Sequence, residues 1–385
     1  MKPVELTDWL RLVQIPGLGP VGIKKLLEHF GHPLTVVQAS EAEYRSVPGM
    51  HPQMAERLAT FRQKMPLQPV LDHLQRLKEM GAGVTILGDS NYPPMLAQIY
   101  DPPPVLYYRG DIGQLVGARM VAVVGSRRAS FKALDLARRL SLALVSHRIT
   151  VVSGLALGID TAAHRGALEG GGNTVAVSAV GLDVCYPPAN LSLVQKIMAR
   201  GCQVTEATLG TRPDAFRFPQ RNRIISGLVH AVVVVEAGAK SGALITARLA
   251  LEQGREVFAV PGTGGDWQCR GSNHLLKQGA GMVEEARDIL LEMNWSEQPL
   301  RKNTSPGDSV PRDAVRVTGA DSVEDHLLQC LAGGPVQADD LSRKTQLTVA
   351  ALSSILLRLE LAGMVIRLPG NQFALQNGPS RDTTF

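Results

Sequence analysis

Apolar positions follow three successive patterns along the chain, and each pattern predicts a different kind of element. Through residues 1–65 they recur at helical spacing around the glycine-rich stretch Ile15–Pro20. From Met120 to Val260 short apolar runs alternate with helical stretches through glycine turns. Beyond residue 322 helical spacing returns and ends in two short apolar runs around the turn dipeptide Gly370-Asn371. At 385 residues, the chain is therefore expected to form more than one domain.

The central pattern predicts a parallel sheet covered on both faces, because several apolar runs lack the alternation of a half-exposed strand. The predicted strands are Met120–Val124, Ile149–Val152, Thr174–Val180, Gln203–Glu206, Ala231–Glu236 and Glu256–Val260. The predicted helices are Ala133–Ser146, Thr161–Gly170, Leu191–Ala199, Arg223–Val229 and Ala243–Gln253. Right-handed crossovers then give an α/β fold, a Rossmann-like, doubly wound, mostly parallel sheet with a binding crevice at the carboxyl ends of its strands.

The flanking regions predict two further domains. Residues 1–68 are predicted to form a helical domain of the SAM or helix-hairpin-helix type, with a weaker second hairpin at Val47–Met50. Such hairpins can direct backbone N–H groups at a DNA phosphate, but a plain helical hairpin fits equally well. Residues 69–295 are predicted to form the extended Rossmann-like domain, which begins with a helix, a short strand at Val84–Leu87 and a stiff proline-rich lead-in through Tyr108.

The C-terminal region predicts a winged helix over residues 323–377, after a polar linker at 296–322. Three helices precede a short hairpin, and they are Val323–Leu331, Ala338–Thr345 and Val349–Ala362. The third helix carries only Arg358 and Glu360 as charged residues, fewer cationic or amide groups than a helix that reads bases usually presents. Protein contact or weak DNA contact is therefore favoured over sequence-specific recognition.

Composition narrows the class of protein. With 44% hydrophobic and 19% charged residues the chain is typical of globular proteins, and its net charge of +5 permits an anionic partner without requiring one. The four cysteines are far apart and show no zinc-finger spacing, so reduced thiols in the cytoplasm are expected, with no metal site. No apolar run approaches the ~20 residues of a membrane span, so no membrane contact is expected.

The loops after the first two predicted strands carry groups suited to phosphate. The segment VAVVGSRRAS (121–130) leads from a strand into a helix, where backbone N–H groups, the Ser126 hydroxyl and the Arg127 guanidinium can hold an anion. It has one glycine where a dinucleotide fingerprint has three, so NAD is not expected. Ser153 and Gly154 form a second turn of small residues.

Asp160 and His164 lie one helical turn apart, just after that second turn. A metal or acid–base site is possible at this spacing. We favour a simpler interpretation, in which Asp160 caps the helix and bonds to His164.

A third segment combines cations with aromatic residues. Phe218 is followed by Arg221, Asn222 and Arg223, an arrangement in which guanidinium groups can follow phosphates while a ring stacks on a base. The alternative is an ion-pair cluster at the start of a helix with Phe218 in the core. Lys240 and Ser241 supply a further loop. Because several such loops converge on one sheet edge, they suit a polymer backbone better than a small nucleotide, and no cofactor is expected.

Segments covering nearly all of residues 90–285 closely resemble the DNA-processing protein A family (DprA, also called Smf). They are YPPMLAQIYDPPPVLYYRG, VAVVGSRRAS, VVSGLALGIDTAAHRGAL, GLDVCYPPAN, RNRIISGL, EAGAKSGALITARLALEQGREVFAVPG and GSNHLLKQGA. The resemblance implies a homodimer that binds and protects single-stranded DNA and loads RecA during natural transformation, without catalysis. It also implies backbone contacts from Ser126, Arg127 and Arg221–Arg223, with help from Lys240 and a wall or stacking surface from Phe218.

Two other functions remain as alternatives. A nucleotide hydrolase of the phosphoribohydrolase kind has a similar sheet and a glycine-rich loop comparable to Pro261–Gly265, but it needs a carboxylate beside that loop, where only Asp266 is available. The other is a protein-binding adaptor that acts through the winged helix and uses the sheet as a scaffold. This alternative does not explain the arginine-rich crevice.

Overall fold

In the computed structural model of the chain, the described residues are 3–64, 67–295 and parts of the C-terminal region. Those parts are residues 327, 330, 331, 334, 336–345, 352, 355, 356, 359, 360, 365–368 and 372–375. The predicted linker at 296–322 lies outside the described residues. The chain divides into two compact units, Met1–Asn303 and Thr304–Phe385.

Helices occupy the N-terminal part of the first unit. They are α1 (Pro3–Val13), α2 (Pro20–Phe30), α3 (Pro33–Gln38), α4 (Glu41–Ser46), α5 (Pro52–Lys64) and α6 (Gln68–Glu79). Pro20 and Pro52 begin α2 and α5, where a missing N–H costs no hydrogen bond. Each follows a turn whose glycine has a left-handed backbone, with φ of 81° at Gly17 and 74° at Gly49. The two predicted hairpins are therefore present, one between α1 and α2 and the other between α4 and α5.

A nine-stranded sheet forms the centre of the unit, in the order β1-β2-β6-β5-β4-β3-β7-β8-β9. The strands are β1 (Ala82–Ile86), β2 (Val105–Gly110), β3 (Met120–Val124), β4 (Thr150–Ser153), β5 (Thr174–Val177), β6 (Cys202–Thr205), β7 (Ala231–Val234), β8 (Glu256–Ala259) and β9 (Gly281–Met282). All pairs from β6 to β9 are parallel, while β2 runs antiparallel to both β1 and β6. The predicted Rossmann-like, mostly parallel sheet is confirmed.

Helices cover both faces of this sheet. They are α7 (Pro94–Ala97), α8 (Phe131–Ser146), α9 (Ile159–Glu169), α10 (Leu191–Arg200), α11 (Arg217–Leu228), α12 (Gly242–Glu252), α13 (Arg270–Lys277) and α14 (Ala286–Glu292). One core joins alternate sheet residues to α11, α12 and α13, and the other joins the intervening residues to α8, α9 and α14. Burial on both faces explains why the strands are apolar without alternation.

Two predictions about these elements were wrong. The proline-rich lead-in contains strand β2, because the prolines end at Pro104 and the apolar run after them pairs with β1 and β6. Helix α11 begins at Arg217, six residues before its predicted start at Arg223. Pro219 does not delay the helix, because it lies in the first turn, where its missing N–H has no partner to lose.

The N-terminal helices pack against one edge of the sheet. Leu10, Leu26 and Leu58 belong to the same buried cluster as Ile86 of β1 and Tyr107 of β2. Helices α1–α6 and the β1–β2 edge therefore share a core.

The second unit contains helix α15 (Ala338–Thr345) and the strands β10 (Val336–Gln337), β11 (Val365–Leu368) and β12 (Gln372–Leu375). The strands form a sheet in the order β10-β12-β11. Its core includes Leu341, Val365 and Phe373, together with leucines from the other two predicted helices. The bounds of those two helices lie outside the described residues. Within the part of the chain that is described, no helix combines the length and apolar character needed to span a membrane.

Candidate nucleic-acid interface

A cavity of about 1030 Å³ lies where the strand order reverses. From β3 the chain builds β4, β5 and β6 on one side and then crosses over to β7 on the other. The loops after β3 and β7 therefore diverge, and ligands of doubly wound sheets bind in such a crevice. The wall residues used below are Ser126, Arg127, Arg128, Asp160, Tyr186, Phe218, Arg221, Asn222, Lys240, Ser241, Trp267 and Arg270.

The loop after β3 is held from inside by a carboxylate. Glu236 is buried and accepts hydrogen bonds from the Ser130 backbone N–H at 3.0 Å and from the Ser130 hydroxyl at 2.7 Å. The Ser126 hydroxyl oxygen accepts from the N–H of Arg128 at 3.1 Å. The N-cap residue of α8 therefore already binds an internal carboxylate, and its hydroxyl oxygen accepts from the Ala133 N–H at 3.2 Å. The exposed cationic groups of this loop are the side chains of Arg127 and Arg128.

The loop after β4 packs against the end of β3 and the loop that follows it. The Ser153 hydroxyl donates to the Val123 carbonyl at 2.7 Å, and Ser153 has no exposed surface. Gly158 has a φ of 82°, and a Cβ there would lie 2.2 Å from the Ser126 carbonyl oxygen, so this close approach requires glycine. Ser153 therefore braces the site and offers a ligand no surface.

Arg221 is a buried crosslink between strand ends. Its guanidinium donates to the carbonyl of Gly154 at 2.6 Å and to the carbonyl of Val177. Asp160 beside it accepts from the N–H groups of Gly154 at 3.1 Å and Ala156 at 3.3 Å. Burial lowers the pKa of Arg221 to about 10, against the opposing effect of Asp160, so the side chain stays charged at neutral pH.

Asn222 extends this network along the floor of the cavity. Its carbonyl oxygen accepts from the Arg221 Nε at 3.3 Å, and its amide donates to the Gly242 carbonyl at 3.4 Å. It thus ties the middle of α11 to the start of α12.

Arg223 lies in a different environment from its two neighbours. Its guanidinium contacts Asp101 at 3.3 Å and forms an ion pair with Glu206, and it is not among the residues that line the cavity. It also donates to the backbone carbonyl of Asp101 at 2.7 Å. Arg223 is therefore part of an ion-pair cluster, the alternative to an anion-binding role, because two carboxylates neutralise its charge.

The rim of the cavity carries cations with aromatic rings beside them. The Arg127 guanidinium lies 5.1 Å from the centre of the Phe218 ring, which itself lies 5.5 Å from the Tyr186 ring. Phe218 is half-buried in the cavity wall and is not part of the core. Counting only partners within the described ranges, no ion pair involves Arg127, Arg128, Lys240 or Arg270. The rim therefore presents unneutralised positive charge next to surfaces on which bases can stack.

Comparison with known proteins identifies the family. The model of the family described as DNA recombination-mediator protein A matches residues 83–294, more than half of the chain. The chain belongs to the DNA-processing protein A (DprA/Smf) family. A second family model, the DprA winged helix domain, matches residues 311–371 and confirms the predicted C-terminal fold.

Relatives of this family match the chain over most of its length. Protein Smf of Synechocystis sp. is 34% identical over 402 residues, which cover 97% of this chain and 99% of the relative. The X-ray structure of DprA from Streptococcus pneumoniae has a TM-score of 0.67 at 34% identity and covers 76% of this chain and 98% of its own. A Helicobacter pylori DprA structure, described for its single-stranded DNA binding mode, has a TM-score of 0.51 at 28% identity, with coverage of 55% and 95%.

The sequence did not point to several residues of the rim. Arg128, Tyr186 and Arg270 all line the cavity, and Trp267 projects from the loop after β8. Tyr186 and Arg128 stand inside the segments that resemble the DprA family, but nothing in their spacing marks them as ligands. Trp267 could have been found from the sequence, because it follows a glycine-rich loop. A large ring in such a loop has no helix or strand to bury it and is therefore expected at the surface.

His164 does not bond to Asp160, which corrects the predicted pair. Its Nδ1 lies 2.8 Å from the Thr174 hydroxyl, and Thr174 in turn donates to the Val151 carbonyl. Asp160 binds loop N–H groups instead. No group of three or more potential metal ligands occurs among the residues described.

We predict that Arg223→Ala destabilises the first unit by about 2–3 kcal/mol, because it leaves Asp101 and Glu206 without their counter-charge. The midpoint of urea unfolding measures this, with Arg248→Ala as a control that removes an exposed pair worth less than ~1 kcal/mol. Well below its unfolding temperature, the Arg223 variant should still bind anions as the parent does. If the variant is as stable as the parent but no longer binds anions, Arg223 contacts the bound anion directly.

A second prediction concerns the dependence of stability on pH. Burial, reinforced by Arg221, lowers the pKa of His164 to about 3, from 6.5 in the unfolded chain. Below pH 6.5 the unfolded state therefore binds a proton that the folded state does not, so stability falls as the pH drops towards 3, by up to about 1.4 kcal/mol per pH unit. His164→Asn should flatten this dependence in urea unfolding at a series of pH values. If the stability of parent and variant changes with pH in the same way, the pH dependence does not come from His164.

Proposed function

We propose that this protein binds single-stranded DNA across the cavity and protects it during natural transformation. The observation that carries the proposal is the rim at the β3–β7 reversal, where cations have no ion-pair partner among the described residues and the Phe218 ring lies against Arg127. Cations attract a phosphate backbone, and rings accept unpaired bases of any sequence. A duplex keeps its bases stacked inside, so the aromatic surfaces favour single strands. A Helicobacter pylori relative is described as binding single-stranded DNA, which supports this proposal.

The ten candidate residues divide into three groups under this proposal. Ser126, Arg127, Phe218, Lys240 and Ser241 contact the strand, since they line the cavity from its loops and from α11. Asn222 lies on the cavity floor and Arg221 positions the wall. Ser153, Gly154 and Arg223 support the loops through internal bonds.

The proposed activity is binding without catalysis. A phosphoribohydrolase would need a free carboxylate beside the loop after β8, where Asp266 is the local candidate. Asp266 instead accepts from the Gln268 N–H at 2.9 Å and closes its own turn. The Asp160 carboxylate is engaged by two N–H groups and lies beside Arg221. Neither arrangement favours the hydrolase alternative.

We also propose the finer steps implied by the resemblance to the DprA family. The protein self-associates as a dimer in the cytoplasm and loads RecA onto the strands it holds. Cations spread over several loops support this role, because a strand held by many weak contacts can be handed over to another protein segment by segment.

Arg127→Ala together with Lys240→Ala should weaken binding to single-stranded oligonucleotides of every sequence alike, by roughly 10- to 100-fold. Removing two phosphate contacts should also reduce the slope of log affinity against log salt by about 1.4. Fluorescence anisotropy at several salt concentrations measures both effects. The matched control is Arg139→Ala, which removes a cation already paired with Asp135 on α8. The proposal fails if the double variant binds like the parent or if the parent prefers duplex DNA.

Loading of RecA predicts a separate result. The parent protein should accelerate RecA filament formation on strands coated with single-strand-binding protein, and the Arg127/Lys240 double variant should not, because it no longer occupies the strand. Fluorescence of labelled strands follows filament growth, with Arg139→Ala as the control. If the parent binds the strand fully and leaves the rate unchanged, the binding role stands and the loading role does not.

A further inference from the structure

Exposed aromatic rings are unevenly distributed over this protein. The chain has only 4% aromatic residues. Five described aromatic side chains are strongly exposed, and they are Tyr100, Phe131, Tyr186, Phe216 and Trp267. Tyr186 and Trp267 line the cavity, Phe216 precedes its wall residue Phe218, and Phe131 follows the loop after β3. Clustered exposed apolar surface marks a binding site, whereas single exposed side chains do not.

Trp267 stands apart from the ring pair Tyr186–Phe218 because it belongs to the other half of the sheet. Tyr186 is on the loop after β5 and Trp267 on the loop after β8, with β4, β3 and β7 between them. Four strand spacings separate β5 from β8, about 19 Å. Arg127 and Lys240 follow β3 and β7, two of the three strands in between. The cavity therefore has an aromatic wall at each end and cations in the middle.

The loop that carries Trp267 is held in place by its neighbours. Gly262 and Asn273 exchange two hydrogen bonds, at 2.9 and 3.0 Å, and close the base of the loop. Gln268, next to Trp267, donates to the Arg128 carbonyl at 3.0 Å. The loop thus presents Trp267 in a fixed position while 67% of the residue's surface stays exposed. Pre-organisation of this kind reduces the entropy lost on binding.

The neighbours of Trp267 suit a nucleic-acid strand. A Cβ at Gly238 would lie 3.9 Å from the ring atom Cε3, so the indole lies beside the glycine turn that leads to Lys240. Arg270, three residues on, is exposed and lines the same cavity. A base on the indole would therefore have cations on both sides for its flanking phosphates.

We propose that Trp267 is a second base-stacking residue, which clamps the strand at the end of the cavity opposite Phe218. This inference depends on the proposed binding of single-stranded DNA and adds the direction in which the strand crosses the edge of the sheet. The strand runs across the carboxyl ends of β5, β4, β3, β7 and β8. Bases at its two ends stack on aromatic rings, and phosphates between them meet Arg127 and Lys240.

The test compares a short oligothymidylate with a strand of equal length whose bases have been removed. Trp267→Ala should weaken binding to oligothymidylate roughly tenfold and leave binding to the abasic strand unchanged, because only a base can stack. Trp267→Phe should retain most of the affinity. Tyr100→Ala is the control for loss of an exposed ring outside the cavity. The salt dependence should be the same in all these variants, since no charge is removed.

Tryptophan fluorescence gives an independent measurement. The chain has three tryptophans, and neither Trp9 nor Trp295 lines the cavity. Oligothymidylate should therefore quench the emission of the parent and leave that of Trp267→Phe unchanged. The inference is overturned if Trp267→Ala binds both strands like the parent, or if it loses as much affinity for the abasic strand, which would mean a damaged loop. A parent that binds neither strand would instead overturn the proposed function.

Discussion

The buried guanidinium of Arg221 is the interaction on which the site depends. It bonds to the carbonyls that end β4 and β5 and lies beside the Asp160 carboxylate, which in turn binds the N–H groups of the same β4 loop. A charged group at 6% exposure is tolerated only when it is paired and hydrogen-bonded, so the loops must keep this geometry. The crosslink therefore fixes where α11 begins relative to the sheet edge, and with it the position of Phe218.

On the other side of the crevice, a buried carboxylate holds the loops together as Arg221 does on the first side. Glu236, two residues after β7, bonds to Ser130 at the start of α8 and so joins the loops of the two strands where the sheet order reverses. Because this carboxylate binds the N-cap residue of α8, the positive charge that faces outward in this region is that of exposed side chains at the rim. Such cations can follow a backbone of variable conformation, whereas a fixed nest of N–H groups favours one phosphate in one place.

The apolar runs predicted the sheet because strands buried on both faces leave a simple signal in the sequence. The same argument predicts the edge at which the cavity lies, since the loops after parallel strands meet there. The roles of Arg221 and Arg223 could not be predicted, because two arginines in one motif look alike whatever surrounds them. Helical geometry separates them once α11 is known to begin at Arg217. Phe218, Arg221, Asn222 and Ile225 then share the face that lines the cavity, and Arg223 points elsewhere.

The arginines of this chain thus divide by whether a carboxylate neutralises them. Arg221 and Arg223 lie inside with acidic partners, and removing either partner would leave a buried charge, so their first role is to hold the fold. Arg127 and Arg128 stay exposed beside a buried carboxylate that is already satisfied by Ser130. Their positive charge has no partner within the described residues, which is unfavourable in isolation but is offset when a polyanion binds. Neighbouring arginines at one edge of the sheet therefore have different roles: the buried ones stabilise the cavity walls, and the exposed ones supply the positive charge on which the proposed binding of a strand depends.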